Sequence, residues 1–276
     1  MTPFDFNPDS PRPLLHLSPA NGFPAATYRK ILEPLLASHH AVSLPMRPLW
    51  GDTPPRWLKH WDQMAEDLAG GLAELGAKGI IGVGHSLGGV LTLAAAVRHP
   101  ELFSRVILLD PTLLAPGFLW KIRLLRCVGF EARSFLVKGA LKRKRNWGSA
   151  EEAYVYFRSR RLFADWTDEI VRTYVENNTA PSRDGGVALV YPPEWEARIY
   201  QTLPTDVWKS AAKLRQPTLV IRGERSNTFT AQAEKAFRKA APQAVFRLVP
   251  GAGHLLAQEK PGIVGSFMRE FLQDKG

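Results

Sequence analysis

The sequence has a single cysteine, no low-complexity tract and no apolar run approaching the ~18 residues that a membrane helix needs. Because Cys127 is alone, an intramolecular disulfide and a cysteine-rich metal site are excluded. The first residues contain neither a basic segment nor a continuous hydrophobic stretch, so we expect no signal peptide and a cytoplasmic location. Histidine, aspartate and glutamate do not cluster at metal-ligand spacing, so we expect no metal and no other cofactor.

Basic residues outnumber acidic ones, and the excess is concentrated in one segment. The formal net charge is +10, and residues 121–145 hold nine basic residues and one acid, Glu131. One interpretation is that this segment forms a solvent-exposed helix face, on which the aliphatic parts of arginine side chains cover apolar surface. The alternative is a weak peripheral contact with an anionic membrane, because the basic run Lys142–Arg145 follows the amphipathic stretch Leu119–Val128. No nucleic-acid-binding module is visible, and nucleic acid is not an expected partner.

Short apolar runs alternate with helical patterns along most of the chain, which favours a mostly parallel sheet covered by helices on both faces. Between Pro111 and about Leu214 the strand signals disappear, and the sequence becomes helical, aromatic and charged. We therefore predict a core made of residues 1–112 and 208–276, interrupted by a helical cap at 113–207. The predicted strands are Leu14–Leu17, Ala41–Leu44, Gly79–Val83, Arg105–Leu109, Thr218–Arg222 and Val245–Val249. The predicted core helices are Thr27–Ser38, Trp57–Leu75, Val90–Arg98, Ala231–Ala240 and Pro261–Leu272.

One short segment carries the strongest chemical signal. Gly84-His85-Ser86-Leu87-Gly88 lies between a predicted strand and a predicted helix. This pattern places a serine in a tight turn with its hydroxyl exposed. We expect a positive φ at Ser86, and the glycines at 84 and 88 leave space where side chains would collide with neighbouring backbone. The start of the helix favours negative charge that develops beside the serine.

A catalytic serine needs a base to take its proton, and seven histidines are available. His254 is the best candidate because it lies in the loop Pro250-Gly-Ala-Gly-His, between the last predicted strand and the last predicted helix. Such a loop can carry an imidazole over the edge of the sheet where the serine turn also emerges. His85 is expected to point away from the reactive face of Ser86, and His16 to be a core residue.

Five motifs follow one another along the chain: Asn21-Gly-Phe-Pro, Gly-His-Ser-Leu-Gly-Gly, Leu109-Asp-Pro, Leu219-Val-Ile-Arg-Gly-Glu and Gly-Ala-Gly-His. In order and spacing they resemble the α/β-hydrolase superfamily, in the branch with a helical cap inserted after the sixth strand. The resemblance implies the α/β-hydrolase fold and catalytic residues in the order serine, acid, histidine. It also implies an oxyanion hole formed by the backbone N–H groups of Leu87 and Phe23.

The acid is the position at which the chain departs from the family pattern. Many relatives carry an aspartate shortly after the seventh strand, and the corresponding residue here is Asn227. We predict Asp110 instead, because it ends the strand after the serine turn, 24 residues beyond Ser86, and some lipases and dehalogenases of the superfamily carry the acid there. Three alternatives stay open: Asp110 only caps the turn into Pro111, Glu224 is the acid, or the acid is missing.

The predicted cap is rich in large apolar side chains, and some of them are expected to roof an apolar pocket over the serine. Phe118 and Trp120, which follow the predicted acid, are predicted to line it. We expect a carboxylic ester or thioester of a small hydrophobic substrate, cleaved through an acyl-enzyme. One alternative is hydrolysis of a C–C bond in a diketone. The other is a non-catalytic binding module, which we consider because the usual position of the acid holds Asn227.

Overall fold

The computed structural model describes residues 2–8, 10, 12–76, 78–127, 135–183 and 185–274, the side chains of 125–127 excepted. The strands of its main sheet are β1 Phe4–Asp5, β2 Leu14–Ser18, β3 His40–Ser43, β4 Ile80–His85, β5 Phe103–Leu109, β9 Thr218–Gly223 and β10 Val245–Val249. They lie in the order β1-β3-β2-β4-β5-β9-β10, and each neighbouring pair is parallel except β1 with β3. The predicted mostly parallel sheet is therefore confirmed, with β1 as an addition at one edge.

Helices cover both faces of this sheet, which explains why the central strand β4 is buried at every position. On one face lie α2 Asp62–Glu74, α3 Leu87–Arg98, α9 Trp208–Ala211 and α10 Ala231–Ala240. On the other face lie α1 Arg29–Leu32, α11 Leu256–Glu259 and α12 Pro261–Gln273. In β5, Val106 and Leu108 pack toward the first group, whereas Ile107 and Leu109 pack toward the second. This alternation follows from the period of two along a strand.

Two core helices are shorter than predicted, and a proline interrupts one of them. The stretch predicted as one helix at Thr27–Ser38 is the short α1 between two 3₁₀ turns, and Pro34 lies in the second turn. Helix α2 begins at Asp62 rather than at the predicted Trp57, which is the last residue of a separate 3₁₀ turn, Pro55–Trp57. Among the described residues, no helix is long and apolar enough to cross a membrane.

The chain between β5 and β9 forms a second layer, which lies over the end of β4 where the serine turn emerges. The described part of the layer contains several helices and a small three-stranded antiparallel sheet, which was not predicted because strands of two or three residues show no repeating alternation. The predicted cap limits, 113–207, stay a prediction. The elements of the layer are α4 Pro116–Cys127, α5 Phe135–Leu141, β6 Asn146–Trp147, α6 Ala150–Arg158, α7 Asp168–Asn178, β7 Thr179–Pro181, β8 Val187–Leu189 and α8 Pro193–Gln201.

Aromatic rings form the interior of this second layer. Tyr174 lies at the centre, with its ring centroid 5.1 Å from that of Phe157 and 4.9 Å from that of Phe163. The same cluster includes Leu255, and Phe23 packs against it. The layer thus contacts the core through Leu255, the chain neighbour of His254, and through Phe23, in the loop after β2.

Candidate active site

Ser86 lies at the turn between β4 and α3. Its φ is +55°, a left-handed value that residues with a side chain rarely adopt. The flanking glycines make the turn possible: a Cβ at Gly84 would lie 2.3 Å from the carbonyl oxygen of Gly88, and a Cβ at Gly88 would lie 2.0 Å from the backbone oxygen of Ser18. The turn therefore has the strained geometry that the sequence pattern predicted.

Three side chains from separate parts of the chain form one series of hydrogen bonds. Nε2 of His254 lies 2.8 Å from Oγ of Ser86, and Nδ1 of His254 lies 2.7 Å from Oδ1 of Asp110. Asp110 is fully buried, whereas Ser86 and His254 face a cavity. An imidazole protonated on Nδ1 donates to the carboxylate and accepts the serine hydroxyl, which is the arrangement that activates a serine nucleophile.

Asp110 is fixed by donors on both carboxylate oxygens. Its φ is +39°. Oδ2 accepts the N–H of Gly223 at 2.9 Å, and Oδ1 accepts the hydroxyl of Ser226 at 2.6 Å. These donors belong to the end of β9 and the loop after it rather than to the turn into Pro111. They compensate the carboxylate for its burial and aim Oδ1 at the imidazole of His254.

The other two positions considered for the acid do not contact His254. Glu224 is exposed, and its Oε2 accepts the N–H of Gly251 at 2.7 Å. Asn227, at the usual family position, is exposed at the wall of the cavity. Of the three candidates, only Asp110 contacts the imidazole.

Two further histidines are buried. Burial lowers the pKa of His16 and of His85 to about 3, so both are neutral near pH 7. The hydroxyl of Tyr28 donates to Nδ1 of His85 at 2.7 Å, and Nε2 of His85 donates to the backbone oxygen of His254 at 2.9 Å. His85 therefore holds the loop that carries His254, a contact that was not predicted. Within the described ranges, no group of three or more histidine, cysteine, aspartate or glutamate side chains could hold a metal ion.

A cavity of about 800 Å³ opens beside Ser86 and His254. Phe118 lines this cavity, as predicted, but Trp120 does not, and the prediction for Trp120 is wrong. Residue 120 lies about 200° around α4 from residue 118, so it points to solvent with 64% of its surface exposed. The wall is largely apolar and includes Phe118, Ile122, Leu136, Leu162, Phe163 and Leu203.

Comparison with known proteins decides the family. A model of the alpha/beta hydrolase family matches residues 14–264. This chain belongs to that family.

Curated relatives and solved structures agree with this assignment. The 2-(acetamidomethylene)succinate hydrolase of Mesorhizobium japonicum is 27% identical over 215 residues, which cover 75% of this chain and 69% of the relative. The uncharacterized hydrolase YugF of Bacillus subtilis is 24% identical over 250 residues, which cover 90% and 86%. The crystal structure of E-2-(acetamidomethylene)succinate hydrolase has a TM-score of 0.81 at 21% identity and covers 98% of each chain. The predicted fold class and superfamily are confirmed, and the chain is an enzyme of the α/β-hydrolase type.

In this α/β-hydrolase the two predicted oxyanion donors differ in their surroundings. Leu87 is the first residue of α3, so its N–H is one of those at a helix start that have no intrahelical acceptor. The N–H of Phe23 donates to the carbonyl oxygen of Ala20 at 3.1 Å. Both oxyanion roles stay predictions, and Phe23 would have to share its N–H between the turn and a substrate oxygen.

Side chains of the second layer hold the loop before Phe23. The hydroxyl of Tyr191 donates to Oδ1 of Asn21 at 2.7 Å, and Nδ2 of Asn178 donates to the backbone oxygen of Gly22 at 3.5 Å. These partners are 170 and 156 residues apart along the chain, so no local motif could have revealed them.

Thr112 is another neighbour of the serine that the sequence did not reveal. Its Oγ1 lies 3.1 Å from Oγ of Ser86, and its N–H donates to the backbone oxygen of Ser86 at 3.1 Å. Because Thr112 also lines the cavity, its side chain can contact both the nucleophile and a bound substrate.

Proposed function

We propose that this α/β-hydrolase cleaves a carboxylic ester or thioester of a hydrophobic substrate through an acyl-enzyme on Ser86. The observation that carries the proposal is the hydrogen-bonded series Ser86–His254–Asp110 at the wall of an apolar cavity. The 2.8 Å contact of His254 with the serine is within reach for proton transfer. The cavity volume of about 800 Å³ suits a small molecule, and its apolar wall favours an acyl or aryl group over a sugar or nucleotide.

Acylation begins when Oγ of Ser86 forms a bond to the carbonyl carbon and its proton passes to Nε2 of His254. The negative charge on the carbonyl oxygen is stabilised at the start of α3 by the N–H of Leu87, with Phe23 as the second donor. The carboxylate of Asp110 stabilises the imidazolium. The bond from the carbonyl carbon to the leaving oxygen or sulfur then breaks, and His254 gives its proton to the leaving group.

Deacylation repeats the same proton transfers with water. His254 takes a proton from water, the resulting hydroxide attacks the acyl carbon, and the proton returns to Oγ of Ser86 as the ester bond breaks. The products are a carboxylic acid and an alcohol or thiol. Hydrolysis of a C–C bond would use the same residues with a carbanion as leaving group, so the products separate the two reactions.

The contact between Asp110 and His254 weighs against a non-catalytic role, because a charged partner for the imidazole exists despite Asn227. The Mesorhizobium relative is named for a substrate with an acetamido group. Amides therefore belong in the substrate panel beside esters, thioesters and diketones.

The decisive experiment is labelling with a fluorophosphonate probe, which reacts with an activated serine. We expect labelling of the intact protein and of the control Ser159→Ala, whose serine is exposed on the second layer, and no labelling of Ser86→Ala. With p-nitrophenyl esters of increasing chain length, kcat/KM should rise until the acyl group fills the cavity. Folded protein that shows no Ser86-dependent labelling would rule out the proposed chemistry, and turnover of diketones without turnover of esters would reassign the reaction.

A further inference from the structure

Helices α4 and α5 expose an unusual set of apolar side chains. Among the described residues, the exposed large phenylalanine and tryptophan side chains are all on these two helices: Phe118, Trp120 and Phe135, the last with 86% of its surface exposed. Leu124 lies one turn after Trp120 on the same side of α4, and it is exposed as well. Single exposed apolar residues are normal, but a group of large ones marks an interaction surface.

The two helices border the same opening of the molecule. Phe118 of α4 and Leu136 of α5 both line the cavity beside Ser86, and both are more than half exposed. The outward sides of the helices therefore lie next to the entrance of the cavity.

Unpaired positive charge lies among these apolar side chains. Lys121, Lys138 and Lys142 are exposed, and none of them forms an ion pair with any residue that the structure describes. The described parts of α4 and α5 contain no acidic residue. The surface is therefore both apolar and cationic, and it would attract an anionic partner that also accepts large apolar groups.

In the basic run Lys142–Arg145, on which the sequence-based hypothesis of a membrane contact partly rested, residues 143–145 are paired with acidic side chains. Each of these three residues forms an ion pair with a glutamate: Arg143 with Glu196, Lys144 with Glu152 and Arg145 with Glu194. Residues 128–134 of the predicted basic segment lie outside the described residues. The candidate contact therefore lies on the outward sides of α4 and α5, and of the basic run it keeps only Lys142.

We propose that this surface docks on a lipid bilayer that contains anionic headgroups. We define the α4–α5 surface as Trp120, Lys121, Leu124, Phe135, Lys138, Leu141 and Lys142. Aromatic and aliphatic side chains of an amphipathic helix enter the boundary between headgroups and acyl chains, and lysines beside them contact the anionic headgroups. A nucleic-acid backbone would satisfy the lysines but leave the leucines and aromatic rings in water. A docked bilayer would also place the cavity entrance at the membrane, so an apolar ligand could enter without crossing water.

The test is co-sedimentation with vesicles of phosphatidylcholine, alone or mixed with phosphatidylglycerol, at low and high salt. We expect binding to the anionic vesicles only, and loss of that binding at high salt because headgroup charge is screened. Replacing the three lysines by glutamine should weaken binding on the order of a hundredfold, since each lysine near an anionic surface contributes about fivefold. Trp120→Ser combined with Phe135→Ser should abolish it.

Matched controls keep the test specific. The control variant carries Lys78→Gln, Lys235→Gln and Lys239→Gln, three substitutions at exposed lysines outside the α4–α5 surface. It makes the same charge change and should leave vesicle binding intact. The Ser86→Ala variant should bind vesicles as tightly as the unchanged protein does. Vesicle binding and catalysis are therefore tested independently of each other. Failure of the intact, folded protein to bind anionic vesicles at low salt would overturn the proposal. If the protein instead forms a dimer, binds no vesicles, and becomes monomeric on Trp120→Ser combined with Phe135→Ser, the surface is an interface with a second copy of the chain.

Discussion

Replacing Asp110 by asparagine is expected to lower kcat by about 10⁴, the size of the effect when a triad aspartate becomes an amide in a serine protease. The substitution keeps the shape of the side chain and exchanges one oxygen for an NH₂ group. Oδ2 accepts the N–H of Gly223, while Oδ1 faces three donors, at 2.7 Å, 2.6 Å and 3.4 Å: Nδ1 of His254, the hydroxyl of Ser226 and the N–H of Phe229.

Either orientation of the amide has a cost. If its oxygen stays near Gly223, its NH₂ group faces Nδ1 of His254 and selects the tautomer with the proton on Nε2, which cannot accept the proton of Ser86. If its oxygen turns toward His254, its NH₂ group faces the N–H of Gly223, and this buried pair of donors destabilises the fold by about 1–3 kcal/mol. The 10⁴-fold loss corresponds to about 5.5 kcal/mol in the activation free energy.

The assay is p-nitrophenyl ester turnover by purified variants whose circular dichroism matches that of the unchanged protein. Glu224→Gln is the matched control, because it makes the same chemical change at a carboxylate that contacts only the loop backbone. Asn227→Asp tests whether a carboxylate at the usual family position adds activity. Undiminished turnover in Asp110→Asn together with its loss in Glu224→Gln would refute the assignment of the acid.

Three further predictions concern stability and the cavity wall. As the pH falls from about 6 to 4, the two buried histidines His16 and His85 should together lower the free energy of unfolding by up to about 2.7 kcal/mol per pH unit, because their pKa of about 3 lies below that of the unfolded chain. Urea denaturation at several pH values measures this, and a flat profile would contradict the burial of neutral imidazoles. Gly88→Ala should prevent a folded elbow, since the added Cβ would lie 2.0 Å from a backbone oxygen at the end of β2; a soluble variant with an unchanged Tm would show that the turn tolerates it. Phe118→Ala should raise KM for long-chain esters while Trp120→Ala leaves kcat and KM unchanged, and equal effects of the two would contradict the placement of Trp120 outside the cavity.

Ser86 and His254 could be predicted because the glycines that shape their loops are close to them in sequence. Asp110 was predicted, with alternatives left open, because it ends the strand after the serine turn and some members of the superfamily carry the acid there; its side chain can reach His254 because the carboxyl ends of neighbouring parallel strands meet at one edge of the sheet. Because β5 and β9 are neighbours that end at this edge, an acid at the end of β5 can reach the same imidazole as an acid in the loop after β9.

The remaining parts of the site depend on contacts that a linear pattern does not record. Tyr191 reaches Asn21 only through the docking of the second layer on the core. The error at Trp120 has a different cause: α4 is apolar on the side facing the cavity and also on its outward side, so composition could not tell which side lines the cavity. The small sheet β6-β8-β7 was missed because its strands, of two or three residues, are too short to show a repeating alternation.

The aromatic interior of the second layer contacts Leu255 and Phe23, the chain neighbour of the base and the second predicted oxyanion donor. Loosening of this layer would remove the ring contacts of Phe23, whereas His85 would still hold the loop of His254 from the side of the sheet. Because Phe163 and Tyr174 also line the cavity, the rings that bound the pocket are the same ones that pack against Phe23 and Leu255.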